Sequence, residues 1–229
     1  LNRRNWWVKL LRTIGIVLMG ITAVFTLMGG AGTACVTLNP TGFGDKFSGI
    51  ANLQWLYIIF VLGGIAIGIM GIRAVIYLIK GSKNSYRFIL GTLLLGTVIN
   101  LVHVFVSRAL RGGSMPVDAV LYTNLFTLAL FLLFGLPDIR EAVVFKESAA
   151  DNHANRDAAA ITLGAAGLLF LTIQFLMAPT HTISSINYAD VWHVSLTIIG
   201  VALIVSGILL KFNHKLHLPD TDVIFETNG

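Results

Sequence analysis

Residues 54–79 read QWLYIIFVLGGIAIGIMGIRAVIYLI, an apolar run whose single charge is Arg73. A helix rises 1.5 Å per residue and the hydrocarbon core of a bilayer is about 30 Å thick, so about 20 apolar residues suffice to cross it. The run is long enough. Working outward, five further windows share its character, at about 13–38, 88–107, 119–136, 158–178 and 191–210. Asn39-Pro40, Gly112-Gly113, Pro116, Pro137 and Pro179 punctuate them with turn and stop signals.

Composition supports the same reading. Hydrophobic residues make up 55% of the 229-residue chain, charged residues 12%, and the mean hydropathy is +0.80. A water-soluble interior could not hide so much apolar surface, so lipid must solvate part of it. The expected fold is an all-α integral membrane protein, a bundle of six transmembrane helices with short loops. Residues 1–12 form a basic and aromatic anchor, 13–211 the membrane domain, and 212–229 a polar tail with a small apolar patch at Val223, Ile224 and Phe225. The segment from Pro137 to Asp157, with Asp138 placed to cap a helix, reads as a short amphipathic helix and a polar loop.

Lys and Arg set the expected orientation. With both termini cytoplasmic, thirteen of the sixteen fall on or near the inner side: Arg3, Arg4, Lys9, Arg12, Arg73, Lys80, Lys83, Arg87, Arg140, Lys146, Arg156, Lys211 and Lys215. Lys46, Arg108 and Arg111 are left outside. That bias is the positive-inside pattern of a cytoplasmic membrane, here expected to be a prokaryotic inner membrane. The net charge of +5 then implies attraction to anionic headgroups and not to nucleic acid. Trp6, Trp7, Trp55 and Trp192 stand where aromatic rings anchor an interface. The basic start and the GTAC at residues 32–35 resemble a signal or lipidation site. However, the apolar run is too long for a typical signal core, and Gly32 stands three residues before Cys35 where Leu is usual. A membrane helix is the expected reading.

Few residues carry chemistry. The sequence has no phosphate-binding Gly-rich loop, zinc-protease HExxH, nucleophile-elbow GxSxG or CxxC, and its lone Cys35 excludes an intramolecular disulfide. Residues 100–113, NLVHVFVSRALRGG, align Asn100, His103, Ser107 and Arg111 on one helical face. Asn100 and Ser107 are expected to hydrogen-bond neighbouring helices, while Arg108, Arg111 and Arg73 are expected to reach lipid headgroups. Gly64, Gly68 and Gly71 form a smooth strip suited to close helix packing, within the bundle or against another subunit.

Histidines near the outer ends supply the alternatives. If the third and sixth helices touched, His103 and His193 could ligate haem b or a chlorophyll-type pigment, with His181 and Asp190 as further metal ligands or orienting groups. A transporter should show charge near the midplane, where only Asn124, Thr127, Thr172, Gln174 and Thr197 interrupt apolar sequence. The primary expectation is therefore a non-catalytic integral subunit that docks onto a larger membrane complex, respiratory or photosynthetic in kind, with no cofactor required. Its partners are membrane lipids and other integral subunits. A pigment- or haem-binding redox subunit, or a small-solute transporter, is the alternative.

Overall fold

The computed structural model describes residues 2–82, 84–137, 139, 152–183 and 185–212. The polar tail and most of the segment read as an amphipathic helix and loop lie outside the described residues. What is described is almost entirely helical, and six helices are long and apolar enough to cross a membrane. They are α1 (Asn2–Leu38), α2 (Gln54–Ile79), α3 (Ser85–Arg111), α4 (Val117–Phe134), α5 (Asn152–His181) and α6 (His193–Phe212).

Local chemistry explains the ends. Asn39-Pro40 stops α1, and the Asn39 side chain accepts from the Gly42 amide at 3.2 Å as the chain enters two short 3-10 turns flanking a single helical turn at Asp45–Ser48. Gly112 ends α3 in the left-handed conformation, φ +67°, where a residue with Cβ would be strained, and its amide reaches the Arg108 carbonyl at 2.9 Å. A two-residue antiparallel pairing, Thr182–Ile183 with Ile186–Asn187, turns α5 back toward α6. α1 starts at Asn2, far before the apolar window at about 13, because the basic residues continue the helix instead of ending it.

α1 is the hub. It packs on α2, α4 and α5, while α3 closes the ring by packing on both α2 and α4. α5 and α6 form a hairpin, and α6 has α5 as its one extensive helix partner among the described residues. The main core gathers Ile16 and Met19 of α1, Ala74 and Leu78 of α2, Ile89 and Leu93 of α3, Phe131 and Phe134 of α4, and Ala158 of α5.

Small residues let these backbones meet. A Cβ built on Gly64 would lie 3.1 Å from the Gly30 Cα, one on Gly68 would lie 2.8 Å from the Leu27 Cα, and one on Gly71 would lie 2.7 Å from the Ala23 Cβ. The strip of α2 is thus spent on α1 and is not a free surface for another subunit. The hairpin repeats the device where Gly167 and Gly200 face one another's carbonyls, and where Gly207 meets the Ala160 carbonyl. In lipid, where apolar side chains gain little by leaving one solvent for another, such close dispersion contact supplies much of the association energy.

Polar bonds fasten one end of the bundle. Arg12 is buried and donates from Nε to the Asn155 Oδ1 at 2.7 Å, and from a terminal nitrogen to the Leu78 carbonyl at 3.3 Å. Asn155 Nδ2 in turn donates to the Ile79 carbonyl at 3.1 Å, so α1, the end of α2 and the start of α5 are tied together. This is the Arg12 end; the opposite end carries His103.

A methyl group separates the two kinds of glycine. Gly68→Ala forces the α1 and α2 backbones apart and is expected to cost about 1–3 kcal/mol, whereas Gly91→Ala, at an exposed position where an added Cβ meets nothing within 4 Å, is expected to be neutral or slightly stabilising. Reversible denaturant unfolding in mixed micelles measures both. Equal effects would contradict the packing described.

Candidate functional site

The polar face of α3 meets the aromatic face of α2 at the His103 end. Tyr57 is buried on the same side of α2 as Gly64, and its hydroxyl shares a 2.8 Å hydrogen bond with the fully buried Ser107. The His103 ring stacks on Phe60, centroids 4.3 Å apart and planes 17° from parallel, and meets Tyr57 edge-on at 5.3 Å. That bond links α2 to α3. Asn100 is also buried, yet its Nδ2 has no acceptor among the described residues.

The three arginines part company. Arg73 is exposed on α2 and leans one turn toward the Arg12 end, donating to the Tyr77 hydroxyl at 3.1 Å with its guanidinium 5.9 Å from that ring. Arg108 pairs with Asp118 at 2.8 Å, and Ser114 bridges them, accepting from Arg108 Nε at 2.9 Å and donating to the other Asp118 oxygen at 2.6 Å. This triad ties α3 to α4 across the turn. Arg111 turns inward: it lies 5.2 Å over the Phe47 ring, donates to the Met115 carbonyl at 2.8 Å, and its Nε is buried without an acceptor.

Of the four candidate ligands, His103 and His181 reach the lining of one small cavity, of about 30 Å³, together with Tyr57, Arg111 and Thr33. That is room for one or two waters and far too little for a porphyrin. His193 is exposed at the start of α6, its Nδ1 2.9 Å from the Asp190 carbonyl, and neither residue lines the cavity. The alternative His103–His193 pair required α3 and α6 to touch, and α6 packs on α5 and not extensively on α3. Among the described residues no three His, Cys, Asp or Glu side chains converge as a metal site.

Beside this small cavity lies a larger chamber of about 460 Å³ with almost wholly apolar walls. Residues of α1, α4 and α5 surround it, and Tyr188, Trp192 and Leu196 complete its rim; Gly32, Pro116 and His181 belong to both spaces. It exists because α4 and α5 each pack on α1 without packing extensively on one another, so the hairpin stands away from α4 at this end. Sequence reading missed the chamber, the Tyr57 hydroxyl and the Arg12–Asn155 tie. Tyr57 could have been found, since it precedes Gly64 by seven residues and so shares the face of the glycine strip.

The midplane polar residues of α4 are consumed internally. Fully buried Asn124 donates to the Leu93 carbonyl at 2.8 Å and to Thr97 Oγ1 at 2.7 Å, and Thr127 shares a 2.7 Å bond with Thr22. Thr172 of α5 bonds back to the Leu168 carbonyl of its own helix. Asn124 and Thr127 thus hold helices together, while Thr172 is satisfied within its own helix.

Fold and site together define an all-helical bundle with six helices long and apolar enough to cross a membrane, and with a small cavity beside a larger apolar chamber at one end. Comparison with protein-family models, curated proteins and solved structures finds no match.

The Tyr57–Ser107 bond is expected to show coupling of about 0.5–1.5 kcal/mol in a double-mutant cycle of Tyr57→Phe and Ser107→Ala. Unfolding free energies in micelles supply the four corners. Additive losses would mean the hydroxyls act separately.

Proposed function

We propose that this chain is a non-catalytic integral subunit of a larger membrane assembly, inserted in a prokaryotic inner membrane with both termini on the cytoplasmic side. The observation that carries the reading is α6. Of its residues, Gly200 and Gly207 alone are buried, both against α5, while Val194, Ile198, Val201, Val205, Ile208 and Leu209 are exposed. Lipid tolerates such a face, and so does a neighbouring helix. What favours the neighbour is attachment: α6 hangs on the bundle through α5, whereas α1 to α4 brace one another.

The polar groups support the same reading. Asn124, Thr127, Ser107, Tyr57 and Arg12 are spent on joining helices, and none stands ready as nucleophile, base or ion ligand at the midplane. With the α2 glycines occupied by α1, docking falls to the α5–α6 hairpin instead. The orientation rests on the distribution of Lys and Arg, thirteen of sixteen on the inner side.

Native mass spectrometry of the protein extracted from its own membranes in mild detergent tests this. Other polypeptides are expected in the complex, lost in a Val201→Trp, Val205→Trp variant of α6 and retained in a Leu62→Trp, Leu94→Trp variant on the exposed faces of α2 and α3. A solitary chain, or loss caused equally by both variants, would contradict docking through the hairpin.

A further inference from the structure

We propose that the cleft at the His103 end binds one anionic phospholipid, an acyl chain entering the apolar chamber and the headgroup phosphate drawn to Arg111. Neither the subunit reading nor its test bears on this.

The chamber specifies the tail. About 460 Å³ lies within the range of sites that hold small ligands, and walls such as Met28, Val120, Phe170 and Ile173 offer a chain dispersion contact and no hydrogen bonds. It sits between helices that lipid surrounds, so the nearest abundant apolar molecule is a lipid.

Arg111 specifies the head. No carboxylate of the described residues lies within ion-pair distance of it, because the near candidate, Asp118, is held by Arg108 and Ser114. The Met115 carbonyl takes one donor and the Phe47 ring covers the guanidinium, but Nε is buried with no acceptor. The final carbonyls of α3 offset part of the charge. Tyr57 and, at longer range, Asp118 also act on the guanidinium, yet Nε lacks an acceptor and no carboxylate of the described residues pairs with the group directly, and a phosphate oxygen supplies both. Gly32, with no side chain, Pro116 and His181 border both spaces, so a tail lodged in the chamber brings its phosphate to the edge of the small cavity that Arg111 lines.

The test is native mass spectrometry of the full chain in detergent with equal amounts of phosphatidylglycerol and phosphatidylcholine of identical acyl chains. One phosphatidylglycerol per chain is expected, favoured about tenfold over phosphatidylcholine. Arg111→Gln is expected to abolish the preference, Arg111→Lys to keep part of it, and Ala34→Trp, which fills the chamber wall, to reduce retention of both lipids about tenfold. Equal retention of both lipids by the wild-type chain would overturn the headgroup assignment. Undiminished retention in Ala34→Trp would overturn the chamber as the seat of the tail. Displacement of the lipid by millimolar inorganic phosphate alone would show that a free anion, not a lipid, is the occupant.

Discussion

Close approach of the α1 backbone to its neighbours is the constraint on which the rest of this bundle depends. Gly30 against Gly64 and Leu27 against Gly68 bring α1 and α2 to near-backbone contact, and Gly20 of α1 meets the Thr162 side chain of α5. Lipid removes most of the hydrophobic incentive to associate, so contact distance matters more than apolar character. With α1 held this way, α4 and α5 must find room on its other sides. Every larger feature follows from that placement.

The two ends of the bundle differ for the same reason. At the Arg12 end, Arg12, Asn155 and the final carbonyls of α2 draw α5 against the core, where Ala158 is fully buried. Among the hydrogen bonds of the described residues, none of this kind links α4 to α5 at the other end. There the polar bonds run between α2, α3 and α4, through Tyr57–Ser107 and the Arg108–Ser114–Asp118 triad, and the hairpin is left to diverge. A clamp at one end and a cleft at the other are consequences of where the hydrogen-bonding side chains fall.

The helices were largely legible in the sequence, because the length of an apolar window is a direct physical requirement of the bilayer. The window at 54–79 coincides with α2, bounded by polar residues at both ends. Helix ends in polar sequence were less legible, since Arg3, Arg4 and Lys9 mark the edge of hydrocarbon and not the end of α1. Which helices touch was mostly hidden: lipid-facing and protein-facing residues are both apolar, so the amphipathic pattern that orients a soluble helix is faint. Orienting information survives in small and polar residues alone. The glycine strip and Ser107 were readable on that account, while the His103–His193 pair required an α3–α6 contact that no residue encodes. The chamber was invisible because it arises from the absence of a contact.

The hub position of α1 is most directly tested by a disulfide across the Thr22–Thr127 contact, where the two hydroxyl oxygens lie 2.7 Å apart. Thr22→Cys and Thr127→Cys are combined in a Cys35→Ala background with a protease site inserted near residues 81–84, and the membranes are oxidised and cleaved. The fragments are expected to remain joined until reduced, and to separate when Leu125→Cys on the exposed face of α4 replaces Thr127→Cys. Separation of the Thr22–Thr127 pair without reduction, or equal joining of both pairs, would contradict the placement of α4 on α1 and with it the cleft between α4 and the hairpin.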